Sequence, residues 1–248
     1  MRATWDGARN LADLGGSALV GGGETRPGRV YRSAAREWMT ARGWDDARKA
    51  GVATVVDLRN EMEHGRTGAH PGLDADATAG ITFVHAPTED PSDADFLRRC
   101  GPWLDHPCSW TINMQMYPQK IVRVLEAVAL AASPVLIHCA GGRDRTGMIG
   151  SLLLLLAGAT PEAIVANYEA GFRGAAEHRG HGLSFDQVTG RWVPAADEGW
   201  TGDELDAALD DRRPVLLDWV HTFDAQGYLI AAGVDADTRR RLEVLLVG

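Results

Sequence analysis

The sequence predicts an α/β fold with a central, largely parallel sheet of four to five strands flanked by helices. Four short, β-branched segments alternate with segments of helical periodicity, which is the pattern of parallel sheets built from strand–helix units. The chain has 248 residues, 45% of them hydrophobic, which is enough for one well-filled core. We therefore expect a single domain over residues 1–248, with an insertion at about 174–202.

The strand candidates are RVYRSA (29–34), VATVVDLR (52–59), ITFVHAP (81–87) and PVLIHC (134–139). The last three are almost continuously apolar, as is typical of strands covered on both faces. The glycine-rich segment 15–28 resembles two short strands joined by a turn.

Helical patterns occupy the stretches between and after these strands. They cover 40–50, with Thr40 as N-cap, 119–132, 147–157, 160–170, with Thr160 as N-cap, and most of the C-terminal part, where Asp235 or Asp237 caps the last helix. The segment Gly174–Gly202 is instead rich in Gly and His. It contains SFDQVTGRWVP, which predicts a short hairpin that turns near Thr189 and Gly190.

Composition excludes several classes of partner. A net charge of −9 argues against a surface for nucleic acid or anionic membranes. The longest apolar run, 148–158, is too short to span a bilayer, and the N-terminus lacks the apolar region of a signal peptide. Three cysteines do not form a disulfide framework, so we expect a cytoplasmic protein, with export by a route without a signal peptide left open. The sequence leaves the oligomeric state open.

The segment HCAGGRDRTG (138–147) lies between a predicted strand and a predicted helix and suits the binding of one anion. Successive backbone N–H groups and the positive end of the helix form such a site. Gly141 and Gly142 permit the required backbone, and Arg145 can grip two oxygens of a tetrahedral oxyanion. The phosphate-binding residues would be Ala140, Gly141, Gly142, Arg143, Asp144 and Arg145.

Cys139 at the start of this segment is the candidate nucleophile. The amides that hold an anion would also favour its thiolate, which could attack phosphorus and form a cysteinyl-phosphate. Thr146 could donate its hydroxyl to the sulfur, and His138 would order the loop by hydrogen bonds. The competing interpretation is a buried strand-end cysteine followed by an ordinary turn. The spacing of Cys, five residues, Arg and Thr-Gly favours catalysis.

These residues resemble the HCxxGxxR(S/T)G loop of the cysteine-dependent protein tyrosine phosphatase superfamily. More narrowly, the chain is similar to the bacterial and fungal tyrosine phosphatase family with an HCxxGKDRTG loop, which includes secreted mycobacterial and lipid-acting members. Segments 10–16, 30–34, 56–59 and 227–234 agree with that family's patterns, so the resemblance covers the chain apart from about 174–202. Ala12 and Arg143 stand where the family usually has Arg and Lys. The resemblance implies that Cys139 is the nucleophile and Arg145 the phosphate-binding residue.

The general acid that protonates the leaving group has three sources. Asp144 is first, because related lipid phosphatases with a D-R-T ending use that aspartate; its alternative role is to pair with a neighbouring cation. Asp57 is second, with anchoring through Arg59 as its alternative role. The acidic segment TEDPSDAD is third, and its alternative is a solvated turn; its candidates are Glu89, Asp90, Asp93 and Asp95. Arg32 and Arg59 either add positive potential or pair with Asp13 and Asp57.

The predicted function is hydrolysis of phosphomonoesters by a protein tyrosine phosphatase, with dual specificity open. Its substrate would be a phosphorylated protein. A phosphoinositide phosphatase is the closest alternative, and an inactive phosphate-binding module the next. We expect no metal and no cofactor, because the loop amides and Arg145 supply the charge stabilisation.

Overall fold

A five-stranded sheet lies at the centre of the chain and confirms the predicted fold class. The computed structural model describes residues 4–131, 134–178, 183–186, 188–194, 200 and 202–248. The central strands are β1 (Ala12–Asp13), β2 (Val30–Ser33), β3 (Thr54–Asp57), β4 (Thr82–His85) and β5 (Val135–His138), in the order β1-β2-β5-β3-β4. All neighbours are parallel except β1 and β2, which are antiparallel.

Nine α-helices lie within the described residues. They are α1 (Ala41–Lys49), α2 (Ala94–Cys100), α3 (Trp110–Met116), α4 (Pro118–Leu130), α5 (Asp144–Leu156), α6 (Pro161–Ala176), α7 (Gly202–Thr222), α8 (Ala225–Ala231) and α9 (Ala236–Leu245). The predicted N-caps are confirmed: the side chains of Thr40, Thr160 and Asp235 accept hydrogen bonds from backbone N–H groups of α1, α6 and α9. Among the described residues, no helix is long and apolar enough to cross a membrane.

Apolar side chains cover both faces of the sheet. Val56 and Ile137 point into the larger core, which α4 to α9 complete, whereas Val55 and Leu136 point to the opposite face and pack with Trp44 of α1. Adjacent residues of one strand point to opposite faces, so β3 and β5 are buried throughout. The carboxyl ends of these two strands meet at one edge, where the candidate site lies.

Two predicted strand features are corrected. β4 was expected to be covered on both faces, yet it is the edge strand of the sheet and most of its residues are exposed. Its apolar residues therefore reflect β propensity more than burial. In the segment 15–28, the described pairing is limited to isolated bridges, Ala18 with Glu24 and Leu19 with Ala159.

Helix boundaries around the candidate loop also differ from prediction. α5 begins at Asp144 and not at 147, so Asp144 and Arg145 lie in its first turn. α6 continues to Ala176, so the predicted start of the insertion falls inside a helix. The predicted hairpin is confirmed as strands β6 (Leu183–Asp186) and β7 (Arg191–Pro194), with Gly190 at positive φ in the turn. The insertion as a separate unit stays a prediction.

Candidate active site

Residues 139–143, the Cys139 loop, connect the end of β5 to the start of α5. Cys139 follows directly after the buried strand and is 2% exposed. Gly142 has a φ of 66°, and a Cβ there would lie 2.6 Å from the backbone of Ser33. Only glycine fits this tight approach of the loop to the end of β2.

The carbonyl groups of the Cys139 loop are held from outside by three donors. Ala35 N–H donates to the carbonyl oxygen of Ala140 at 2.8 Å, and Arg32 Nη2 donates to that of Gly142 at 2.7 Å. Asn10 Nδ2 donates to the carbonyl oxygens of both Gly141 and Gly142, at 2.9 and 3.1 Å. Within the described part of the chain, the N–H groups of residues 140–142 donate no hydrogen bond. Because N–H and C=O point in opposite directions in each peptide, these donors favour an inward-facing anion cradle.

Two helical glycines make room for the side chains that hold the loop. A Cβ on Gly171 would lie 1.6 Å from Arg32 Nη2, and a Cβ on Gly174 would lie 2.2 Å from Asn10 Oδ1. The sequence patterns place Asn10 in the segment 10–16 that agrees with the family, but they assign neither Asn10 nor the two glycines to the site. Two glycines three residues apart inside a helical pattern were the available signal, because glycine in a helix interior is unfavourable unless packing requires it.

Arg32 is buried beneath the Cys139 loop. It is 1% exposed and also donates to Asn167, at 2.8 Å to Oδ1. Burial lowers the pKa of Arg32 to about 10, which still leaves it charged at neutral pH. Its position is therefore that of a support for the loop backbone, and among the described residues it contacts Gly142 and Asn167.

Arg145 is held by two glutamates that the loop sequence does not contain. Its Nη1 and Nη2 donate to Glu63 Oε2 and Oε1 at 2.5 and 2.6 Å, and Nη1 lies 3.5 Å from Glu89 Oε1. Glu63 is itself fixed, because its Oε2 accepts a hydrogen bond from the N–H of Asn60 in a capping box. The guanidinium is thus oriented before any ligand binds.

The pKa values of the two glutamates beside Arg145 are shifted in opposite directions. Burial alone would raise the pKa of Glu63, but the charge and hydrogen bonds of Arg145 lower it. Burial raises the pKa of Glu89, and the nearby charge of Glu63 adds to this effect against the opposing charge of Arg145. Glu89 also accepts a hydrogen bond from Asn60 Nδ2 at 3.2 Å. Glu89 is therefore the carboxyl group of this pair that more readily keeps a proton.

Asp144 is paired with its neighbour Arg143. Arg143 Nε donates to both carboxylate oxygens of Asp144, at 2.9 and 3.1 Å. Arg143 Nη2 also lies 3.7 Å from Asp105, and its guanidinium lies 4.9 Å from the ring centre of Phe172. Arg212 of α7 donates to Asp105 at 3.0 Å. Arg143 is therefore oriented by an acidic and aromatic surrounding.

Asp57 is the centre of a second, enclosed cluster. Arg59 donates to both of its carboxylate oxygens, at 2.9 and 2.7 Å, and also to Glu37 at 2.8 Å. His138 Nε2 lies 3.5 Å from Asp57, and its Nδ1 lies 3.2 Å from the carbonyl oxygen of Cys139. Despite burial, Arg59 and His138 lower the pKa of Asp57, and burial lowers that of His138 to about 4. The geometry gives Asp57 the anchoring arrangement that was its alternative role.

The remaining predicted site residues occupy different places. Thr146 is fully buried in the first turn of α5, and its hydroxyl has no hydrogen-bond partner among the described residues. Of the acidic segment 88–95, which the structure describes in full, only Glu89 lines the cavity above Cys139. Asp90 accepts from Ser92, Asp93 caps α2, and Asp95 pairs with Arg98.

A cavity of about 320 Å³ opens above Cys139. Its charged lining consists of four carboxylates and two guanidinium groups, namely Glu63, Glu89, Asp105, Asp144, Arg143 and Arg145. Its apolar lining comes from the segment before α3 and from the hairpin β6–β7. Cys139, residues of its loop and the oriented Arg145 thus line one concave site.

Comparison with known proteins gives consistent matches. A family model described as the tyrosine phosphatase family matches residues 3–247. A protein of Cupriavidus necator named as a tyrosine-protein phosphatase is 31% identical over 66% of this chain and 60% of its own length. The triple specificity protein phosphatase PtpB of Mycobacterium tuberculosis is 28% identical over 65% of this chain and 66% of its own. The matched part of the chain thus spans less than two thirds of the length of each of these two relatives. The crystal structure of P. aeruginosa TpbA aligns with a TM-score of 0.40 and 19% identity, over 82% of this chain and 85% of that one.

Proposed function

Because the chain belongs to the tyrosine phosphatase family, we propose that it hydrolyses phosphomonoesters, with phosphotyrosine in proteins as the substrate class. The observation that supports this most is the position of Cys139, which lines the floor of the cavity together with Arg145 and the Cys139 loop. The name of the mycobacterial relative supports a dual-specificity range for the same chemistry.

In the proposed first step, the Cys139 thiolate attacks phosphorus, an S–P bond forms and the P–O bond to the leaving group breaks. Arg145 and the N–H groups of residues 140–142 hold the non-bridging oxygens as their charge grows. Arg145 keeps its link to Glu63 through one nitrogen while it binds phosphate through another. Water then attacks phosphorus and gives its proton to the carboxylate left by the general acid, the S–P bond breaks, and the thiolate leaves. The Thr146 hydroxyl, buried without a partner among the described residues, is available to donate a hydrogen bond to that sulfur.

The general acid in this proposal is Asp144. It lines the cavity beside Cys139 and is partly exposed, with 25% of its side chain accessible. Asp57 has less support, because it is 3% exposed and does not line the cavity. Glu89 competes with Asp144, because it lines the same wall and its pKa is raised by burial.

The general acid can be identified from pH–rate profiles of Asp144→Asn and Glu89→Gln with an aryl phosphate. The variant that lacks the acid loses the alkaline limb of kcat, because its leaving group departs unprotonated at every pH. Wild-type turnover and an intact profile in Asp144→Asn would eliminate Asp144. The same result in Glu89→Gln would eliminate Glu89.

A phosphoinositide substrate is the second candidate. The observation that favours it is Arg143, a second cation beside Arg145 in the cavity wall. Asp144 and Asp105 already pair with Arg143, which leaves less of its charge for a second phosphate.

We also propose that the protein is located in the cytoplasm. The three free cysteines support this location.

The test is hydrolysis of p-nitrophenyl phosphate in the presence of EDTA. Wild type should be active, and Cys139→Ser should be inactive, because serine is not ionised at neutral pH. Cys108→Ser is the matched control, since Cys108 is an exposed cysteine outside the cavity lining. Full activity of Cys139→Ser, or no activity of wild type, would overturn the proposal. Loss of wild-type activity in EDTA would overturn the cysteine mechanism.

A further inference from the structure

The hairpin β6–β7 forms one apolar wall of the cavity above Cys139. Leu183, Phe185 and Trp192 contribute the lining side chains, and all three are partly buried. The rings of Phe185 and Trp192 lie 5.5 Å apart at 59° and so form a continuous aromatic surface. The hairpin therefore presents an aromatic, apolar face to whatever is bound over Cys139.

Further apolar residues line the same cavity. Pro102 and Leu104 come from the segment that follows α2. The buried Cys139, its loop and Arg145 form the polar base, which would hold a phosphate. The cavity thus combines a polar base for an anion with apolar surface for the group attached to it.

The hairpin is joined to a neighbouring segment by a hydrogen bond. Trp192 Nε1 donates to the carbonyl oxygen of Pro91 at 3.2 Å, which joins β7 to the segment between β4 and α2. A partly buried indole that also makes a hydrogen bond is held in one orientation. The aromatic wall is therefore positioned before a substrate arrives.

We propose that Phe185 and Trp192 are specificity-determining residues, which select phosphate esters with an aromatic leaving group by packing against its ring. This inference rests on the proposed phosphomonoesterase function and adds the residues that set its substrate class. A phosphorylated phenol would place its phosphate at the polar base and its ring against the apolar lining. A phosphorylated serine has no ring to pack against this surface, and an inositol ring would bury hydroxyl groups against it, which is unfavourable.

The test measures competitive inhibition by two non-hydrolysable anions of equal charge, phenylphosphonate and methylphosphonate. Wild type should bind phenylphosphonate more tightly. Phe185→Ala and Trp192→Ala should each raise the inhibition constant of phenylphosphonate by about tenfold, in line with the energy of one aromatic pair. The inhibition constant of methylphosphonate should stay unchanged, which shows that the polar base is intact.

Two further variants separate the ring from other roles of the hairpin. Trp192→Phe keeps an aromatic ring but loses the hydrogen bond to Pro91, and it should keep most of the preference for phenylphosphonate. Val188→Ala is the matched control, because Val188 lies in the turn of the same hairpin and is 95% exposed. It should leave both inhibition constants at the wild-type value.

Three outcomes would overturn the inference: equal shifts for both phosphonates, no shift in Phe185→Ala and Trp192→Ala, or loss of the preference in Trp192→Phe to the level of Trp192→Ala. Failure of the proposed function is distinguishable, because wild type would then not hydrolyse p-nitrophenyl phosphate. Calorimetric binding of the two phosphonates would still report on the aromatic wall in that case.

Discussion

Two clusters of arginine and carboxylate lie at the same edge of the sheet and differ in their access to the cavity. In the inner cluster, Arg59 binds Asp57 and Glu37, and its side chain is 3% exposed. In the outer cluster, Arg145 binds Glu63 and lies near Glu89. Both arginines make bidentate contacts, but of the two only Arg145 lines the cavity that Cys139 also lines.

The difference shows that a bidentate ion pair alone does not define a site. Arg59 directs Nε and Nη2 to Asp57 and Nη1 to the carbonyl oxygen of Glu63, so its donors are occupied by protein groups. Arg145 directs both of its terminal nitrogens to carboxylates on one side, and its contacts border open space. The inner cluster is suited to stability and the outer one to ligand exchange.

The largest effects are expected when Arg145 and Arg59 are each replaced by lysine. These two substitutions should separate a role in activity from a role in stability. We expect Arg145→Lys to lower kcat/KM for p-nitrophenyl phosphate by about 10²–10³, because the planar fork that holds two oxygens is lost. Arg59→Lys should mainly lower the free energy of unfolding in urea. Equal effects of the two substitutions on kcat/KM at matched stability would contradict the division between the clusters.

Asp57→Asn should be the most destabilising single change in the inner cluster. Removing the charge leaves Arg59 buried with less compensation, which costs about 3–5 kcal/mol for a buried pair. Urea unfolding at pH 7 measures this loss. Glu63→Gln is the comparison in the outer cluster and should cost less than half as much, since Arg145 borders the cavity and keeps Glu89 nearby. A larger loss in Glu63→Gln would reverse the assignment.

Gly171→Ala should displace Arg32 and loosen the Cys139 loop. The added Cβ would lie 1.6 Å from Arg32 Nη2, and overpacking of this kind costs about 1–3 kcal/mol. Activity should fall with stability, because Arg32 holds the carbonyl of Gly142. Gly150→Ala in α5 is the control, since its Cβ would meet only Leu14 at 3.7 Å. If both variants behaved alike in thermal unfolding and turnover, the proposed support of the loop would be wrong.

The pH dependence of stability should have opposite signs for His138 and Glu89. His138 has a folded pKa of about 4 against an ordinary 6.5, so its contribution is present above pH 6.5 and is lost as the pH falls towards 4. Glu89 has a raised pKa, so its contribution is present below its ordinary value of 4.5 and is lost as the pH rises. Each slope is at most about 1.4 kcal/mol per pH unit.

Urea unfolding between pH 4 and 8 checks both signs. In His138→Gln, the free energy of unfolding should fall less as the pH is lowered from 6.5 towards 4. In Glu89→Gln, it should fall less as the pH is raised above 4.5. A steeper acid side in His138→Gln, or an unchanged curve in Glu89→Gln, would contradict the protonation states inferred for these two groups.

The fold and the centre of the site were predictable from local patterns. Strand runs, the caps Thr40 and Thr160, and the segment 138–147 depend on residues close together in the sequence. The exposure of β4 was not predictable, because an apolar strand has the same local pattern at an edge as in the centre. The start of α5 at Asp144 was missed because Gly142 and Gly147, on either side of the helix start, obscure the boundary.

Residue type and short-range spacing were enough to predict the fold class, the loop that carries Cys139 and Arg145, and the candidates for acid catalysis. Other features depend on the folded chain. There Glu63 orients Arg145, Asn10 and Arg32 hold the loop in space left by Gly171 and Gly174, and Arg59 encloses Asp57. Except for the Asp57–Arg59 pair, these contacts join residues that are more than twenty positions apart in the sequence. In that pair, burial and the surrounding charges, which depend on the packing of the whole chain, decide the role.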